Sequence, residues 1–165
     1  MRTGAVDVDY PATGGARAAL VVGDAPTFPA IVQERVCWLE AAAPYEPGAF
    51  YKRELPAIRA VLAGVAPLSL LIVDGYVDLD PDGRPGLGAH VHAALGLPVI
   101  GVAKTAFRTA THAVAVRRGG AEKPLYVTAA GLPLDTAVAY VREMSGPYRL
   151  PDALRRVDAL ARGRQ

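Results

Sequence analysis

A single cysteine, Cys37, excludes an internal disulfide. It alternates with apolar neighbours in Val36-Cys37-Trp38-Leu39, which reads as a strand carrying a buried thiol. No apolar run approaches the roughly 20 residues that a bilayer-crossing helix needs, and no basic-then-apolar leader precedes Asp7. A cytoplasmic protein with no membrane partner is expected. Charge is also sparse: 21% of residues are charged and the formal net charge is +2. Any affinity for nucleic acid must therefore come from a local basic surface and not from overall charge. Neither a repeat nor a low-complexity linker interrupts the chain. What is plentiful is apolar sequence. With 52% of 165 residues hydrophobic, the chain can bury one sizeable core but hardly two, so residues 1–165 are expected to form a single domain. A monomer is the default expectation.

Three β-like runs open the chain, Ala5 to Asp9, Ala16 to Val22 and Ile31 to Leu39, separated by short turn-rich stretches around Pro11, Gly14, Gly15, Pro26 and Pro29. Short connections imply an antiparallel meander. Tyr51 to Leu62 carries Leu55, Ile58 and Leu62 at helical spacing. Two continuous apolar runs follow, Leu68 to Val73 ending in Asp74-Gly75, and Val99 to Ala103 ending in Lys104, with a helix expected from Leu87 to Leu95 between them. That is a parallel βαβ unit. His112 to Val116 and Leu125 to Thr128 read as further strands, and Leu134 to Met144 and Asp152 to Ala161 as helices. An antiparallel meander followed by parallel βαβ units is the order of ribonuclease H-like domains, so the fold class is α/β with a mixed sheet flanked by helices.

Four acids, Asp7, Glu54, Asp74 and Asp158, stand out. Asp7 and Asp9 share one face of the first strand, while Val6 and Val8 share the other. Asp9 reads more readily as a cap of the turn at Tyr10-Pro11, but Asp7 sits deeper among apolar residues. Asp74 ends a parallel strand, where open α/β sheets place their sites, although an Asp-Gly turn would read the same. Glu54 and Asp158 lie on helices and could equally be solvated or paired with nearby arginines. As a set they offer hard oxygen ligands from several elements, which is what two Mg2+ or Mn2+ ions need in phosphodiester hydrolysis.

In chain order, Ala5-Val6-Asp7-Val8, Pro44-Tyr45-Glu46-Pro47-Gly48, Arg53-Glu54-Leu55-Pro56, Val73-Asp74-Gly75, Gly101-Val102-Ala103-Lys104 and Tyr148-Arg149-Leu150-Pro151 resemble the motifs of endonuclease V, including its PYxPG, RELP, VDG, GVAK and YRLP strings. The resemblance runs from Val6 to about Ala161. It implies metal-dependent hydrolysis of a phosphodiester near deaminated adenine (inosine) in DNA or RNA, with nucleic acid as the partner and Mg2+, or Mn2+, as the cofactor. By the same resemblance Asp7, Glu54, Asp74 and Asp158 are metal ligands, and Lys104 stands beside the scissile phosphate as a catalytic cation. Tyr45 is the wedge of a stiff loop formed with Pro44, Pro47 and Gly48, and Gly75, Tyr76 and Gly131 are candidates for lining the pocket of a flipped base.

Departures from the family pattern fall on the substrate side. Tyr76-Val77-Asp78 stand where the family has HG after VDG, Asp80 and Asp82 follow, and Ala129-Ala130 replace a Gly-His pair. The sequence also starts without the family's N-terminal helix and is short between Lys104 and Leu125. A non-catalytic or differently specific nucleic-acid-binding relative is thus the alternative. Asp7-Val8-Asp9-Tyr10-Pro11-Ala12-Thr13 also resembles the nucleophile loop of haloacid dehalogenase-like phosphatases, but that reading leaves PYxPG and Glu54 unexplained. Arg117, Arg118, Lys123, Arg142, Arg149, Arg155 and Arg156 form a late basic group suited to phosphate contacts. His90 and His92, two apart on a helix, point apart, and packing or exposure accounts for them and for His112.

Overall fold

The structure, a computed structural model, describes residues 1–42, 44, 46–47, 49 and 51–164. Among the described residues, seven strands form one sheet, β1 Thr3–Asp9, β2 Ala16–Gly23, β3 Gln33–Leu39, β4 Leu70–Asp74, β5 Val99–Ala103, β6 Val114–Val116 and β7 Leu125–Ala130, and four helices accompany it, α1 Tyr51–Leu62, α2 Leu87–Leu95, α3 Leu134–Glu143 and α4 Asp152–Ala161. The spatial order is β3-β2-β1-β4-β5-β7-β6. The first three strands pair antiparallel, and β4 then joins β1 in parallel, followed by β5 in parallel with β4. This is the ribonuclease H-like mixed sheet expected. Among the described residues, only the β4-α2-β5 connection is a parallel crossover between neighbouring strands. β7 runs antiparallel to β5, and β6 antiparallel to β7.

Strand periodicity divides the core in two. Ala5, Ile72, Ile100 and Val102 face Val138 and Val141 of α3 and Val157 of α4. Val6, Leu71, Val73 and Val99 face Ile58 and Val61 of α1 and Val91 of α2. Burial on both faces explains why β4 and β5 read as unbroken apolar runs. It also assigns sides. Asp7 continues the parity of Ala5, Asp74 that of Ile72, and Lys104 that of Val102, so all three point toward the α4 layer at the carboxyl ends of adjacent strands.

The loop leaving β4 doubles back over the sheet. Gly75 adopts φ +123°, which favours glycine, and its N–H donates to the Val102 carbonyl at 3.0 Å. The Val77 N–H donates to the buried Thr128 hydroxyl at 2.9 Å. A side chain at Gly101 would meet the Gly75 carbonyl oxygen at 2.5 Å, so the glycine of the GVAK string is where this loop crosses β5. The N–H groups of Gly86 and Gly88 donate to the carbonyls of Val77 and Tyr76, capping the start of α2 with backbone.

Candidate active site

Asp7 lies on β1 and Asp74 at the end of β4, in neighbouring parallel strands whose register pairs Val6 with Val73. Glu54 reaches the same place from α1, on the opposite face of the sheet. Asp7, Glu54 and Asp74, with Tyr10, line a cavity of about 140 Å3. On the other side of Asp7 and Asp74, a smaller recess is bordered by Lys104, Leu150, Leu154 and Val157. There the Lys104 ammonium stands 3.7 Å from the Asp74 carboxylate and 3.8 Å from that of Asp158 on α4. The four acids and the lysine expected from sequence thus surround one end of the sheet, approached by α1 from one face and α4 from the other.

Crowding of like charge sets the electrostatics. Burial is the main cause that lifts the Asp7 carboxyl to about 7, with the charges of Asp74 and Asp158 adding to it and Lys104 opposing. Glu54 is only 7% exposed. Burial, then the charges of Asp7 and Asp74, lift it to about 8, while a hydrogen bond from Tyr10 and the Arg53 charge pull the other way. Asp74 is raised by desolvation too, with Lys104 counteracting, although its side chain, 46% exposed, stands at the mouth of the site. Asp158 also accepts from Arg162 at 3.2 Å. Among the described residues, no three carboxylate, histidine or cysteine side chains are gathered closely enough to hold one metal ion. Asp7, Glu54 and Asp74 border the cavity, while Asp158 stands across Lys104 from Asp74, so the four do not converge on a point.

Tyr10 and Arg53 belong to the site without having been picked out for it. The Arg53 guanidinium lies 3.6 Å over the Tyr10 ring, and Tyr10 serves Glu54. The available signals were Tyr10 three residues after Asp7 and Arg53 beside Glu54. Arg53 and Glu54 occupy the first turn of α1, which brings the carboxylate and its cationic neighbour onto the strand end together.

Gly75 and Tyr76 line a largely apolar cavity of about 190 Å3 that adjoins Asp74 and includes Tyr51, Leu79, Pro85 and Leu87. The Tyr76 hydroxyl donates to the Thr105 carbonyl at 2.6 Å, and its ring leans on Phe107. Tyr51 stacks on His90 with centroids 3.5 Å apart. Gly131 does not belong here. It follows Ala130, which pairs with Val99 at the start of β5, and a side chain there would meet His92 and Pro98. Because β7 is antiparallel to β5, its end lies at the opposite edge of the sheet from Lys104. Pro44 and Pro47 are exposed, while Tyr45 and Gly48 lie outside the described residues. The basic group also divides. Arg118 is buried and donates to the carbonyls of Val141, Met144 and Gly146, Arg149 donates to those of Lys104, Lys123 and Pro124, and Arg156 forms a two-pronged pair with Glu34. Arg118 and Arg149 are spent on tying backbone segments together, which corrects the reading of these two as phosphate contacts, while Arg156 is engaged in a surface ion pair.

Comparison with known proteins agrees with this architecture. The sequence model of the family described as Endonuclease V matches residues 1–126. An endonuclease V of Streptomyces avermitilis is 34% identical over 88% of this chain and 72% of its own length. One from Streptomyces coelicolor is 36% identical over 88% and 70% respectively. The solved Streptomyces avermitilis structure superposes with a TM-score of 0.82 at 33% identity, covering 99% of this chain and 80% of that one. An endonuclease V of Ciona intestinalis, solved with a DNA containing an inosine followed by a ribo-adenosine, shares the fold with a TM-score of 0.84 at 20% identity, over 98% of this chain and 84% of that one. By family model, by identity over most of its length and by fold, this chain belongs to the endonuclease V family.

Proposed function

We propose that the chain is a Mg2+-dependent endonuclease that hydrolyses a phosphodiester near inosine in DNA or RNA. The observation that carries this reading is the gathering of Asp7, Glu54, Asp74, Asp158 and Lys104 around the carboxyl ends of β1, β4 and β5. The donor set suits a hard divalent cation in chemistry and charge. It consists of carboxylate oxygens, and Asp7 and Glu54 are driven toward protonation by burial and mutual repulsion, which a cation among them relieves. Asp7, Glu54, Asp74 and Asp158 are the residues that would supply the metal's ligands, and because no three of them stand close enough together to hold one ion here, they would have to draw closer around it. If bound there, Mg2+ or Mn2+ would supply Lewis acidity for phosphodiester hydrolysis.

The chain's own residues supply the rest. Tyr10 orients the Glu54 carboxylate by its hydrogen bond, and Arg53 limits the cost of keeping that carboxylate charged. Lys104, beside Asp74 and Asp158, pairs with a phosphate oxygen and offsets charge gained in the transition state. The cavity beside Gly75 and Tyr76 receives the flipped base on apolar walls, while the loop of Pro44, Tyr45, Pro47 and Gly48 holds the strands apart. The inosine-containing DNA bound by the Ciona intestinalis relative supports this choice of base.

The test is cleavage of matched DNA and RNA oligonucleotides, with and without one inosine, in Mg2+ and in Mn2+, by the wild type and Asp74→Asn. Inosine-dependent nicking that the variant lacks is expected. Cutting indifferent to inosine would retain the hydrolysis and discard the specificity. Tight binding with no cutting in either ion would put a non-catalytic nucleic-acid-binding protein in its place.

A further inference from the structure

Beyond the carboxylates, an open groove flanks α4 and is lined by Tyr148, Arg155, Asp158 and Arg164 among others. Four arginines and two aspartates line it. Among the described residues only one of those arginines, Arg156, forms an ion pair, with Glu34, and Arg149 is spent on backbone carbonyls, which leaves Arg155 and Arg164 as the groove's uncommitted cations. At the groove wall Tyr148 is 56% exposed, and the Arg155 guanidinium lies 4.5 Å over its ring. Exposing an aromatic ring of that size forfeits burial that a core position would have given.

The loop carrying Tyr148 is anchored on both sides by Arg118 and Arg149, the two arginines withdrawn from the basic group. Arg118 ties down the carbonyls of Met144 and Gly146 just before it. Arg149, the next residue, anchors to three carbonyls of two other loops. Gly119 packs so closely beneath that a side chain there would meet the Pro147 carbonyl oxygen at 2.4 Å and Tyr148 at 2.7 Å. A ring held this firmly loses little entropy when something stacks on it. Its neighbours are cationic, and the groove takes in Asp158, 3.8 Å from Lys104.

We propose that Tyr148 and Arg155 form a stacking platform for an unpaired base of the nucleic-acid strand running out of the carboxylate site along α4, with Arg164 on its phosphates. This rests on the nuclease reading and adds to it a preference for single-stranded character on that side of the cut. Every base has a flat face, so the platform holds a strand without reading its sequence.

The experiment measures binding in Mg2+ by fluorescence anisotropy, with Asp74→Asn as the parent so that the probe survives. The probes are a labelled single-stranded DNA and the same sequence as a blunt duplex. Tyr148→Ala and Arg155→Ala are each expected to weaken single-strand binding about tenfold and duplex binding less than about twofold, while Tyr148→Phe, which keeps a ring, stays within about twofold of the parent. Arg164→Gln should lower the salt dependence by about one phosphate contact. All three side chains lie at the surface, and unchanged thermal midpoints confirm that the variants fold. Single-strand binding by Tyr148→Ala within about twofold of the parent, or equal losses on both probes, overturns the platform. A parent that binds neither probe overturns the nuclease reading itself, so the two failures are distinguishable.

Discussion

Removing one negative charge from the cavity should stabilise the metal-free protein at alkaline pH. Glu54 is 7% exposed, and burial with the charges of Asp7 and Asp74 raises its carboxyl from 4.5 to about 8. The folded state therefore binds more protons than the unfolded one between those values. Its stability is complete below the unfolded value and is lost as pH rises through the folded value. At about pH 8.5, ionising this group costs on the order of 4 kcal/mol, and near pH 4.5 almost nothing. Glu54→Gln keeps an oxygen for the Tyr10 hydroxyl and removes the charge. In urea titrations with a chelator, it should gain roughly 2 to 4 kcal/mol over wild type at about pH 8.5 and be near neutral at about pH 4.5. Adding Mg2+ at the higher pH should reverse the order, because the wild type then has a ligand to offer and the variant has lost one. Curves for wild type and variant that stay parallel across pH would refute the account of burial and repulsion, whatever the enzyme does.

The same cavity makes Asp74→Asn lose at least about a hundredfold in metal-dependent cleavage, since half-exposed Asp74 contributes little to packing and its loss falls on the chemistry; single-turnover rates beside an unchanged circular dichroism spectrum check this. Gly101→Ala places a methyl about 2.5 Å from the Gly75 carbonyl oxygen, which is backbone and cannot swing aside. It should cost about 1 to 3 kcal/mol in denaturant titrations and weaken cleavage by displacing the turn after Asp74. Arg118→Met leaves the carbonyls of Val141, Met144 and Gly146 without their buried donor. A loss of about 2 to 4 kcal/mol is expected, seen as a lower thermal midpoint and earlier proteolytic cleavage between α3 and α4.

How much of this was legible depends on whether a residue's signal is local. Asp7, Asp74 and Lys104 could be read because alternation and strand ends are written in consecutive residues, and the helix from Asp152 to Ala161 has the bounds expected of it. Glu54 and Asp158 were legible only as members of a set. Neither helix states in its own sequence that it approaches the same strand ends from opposite faces of the sheet. Tyr10 was read as part of a turn because its partner, Arg53, lies far along the chain. Arg118 and Arg149 read as surface cations, since a guanidinium buried against carbonyls and one in solvent leave the same trace in composition. Gly131 was misplaced for a directional reason. An apolar run such as Leu125 to Ala130 is equally strand-like in either orientation, and only its antiparallel pairing with β5 sends its end away from Lys104. The chemistry therefore gathers where three parallel strands, β1, β4 and β5, end side by side with matching parity. A strand that enters the sheet the other way adds packing and the Thr128 hydroxyl beneath the loop, but its terminus cannot reach the site.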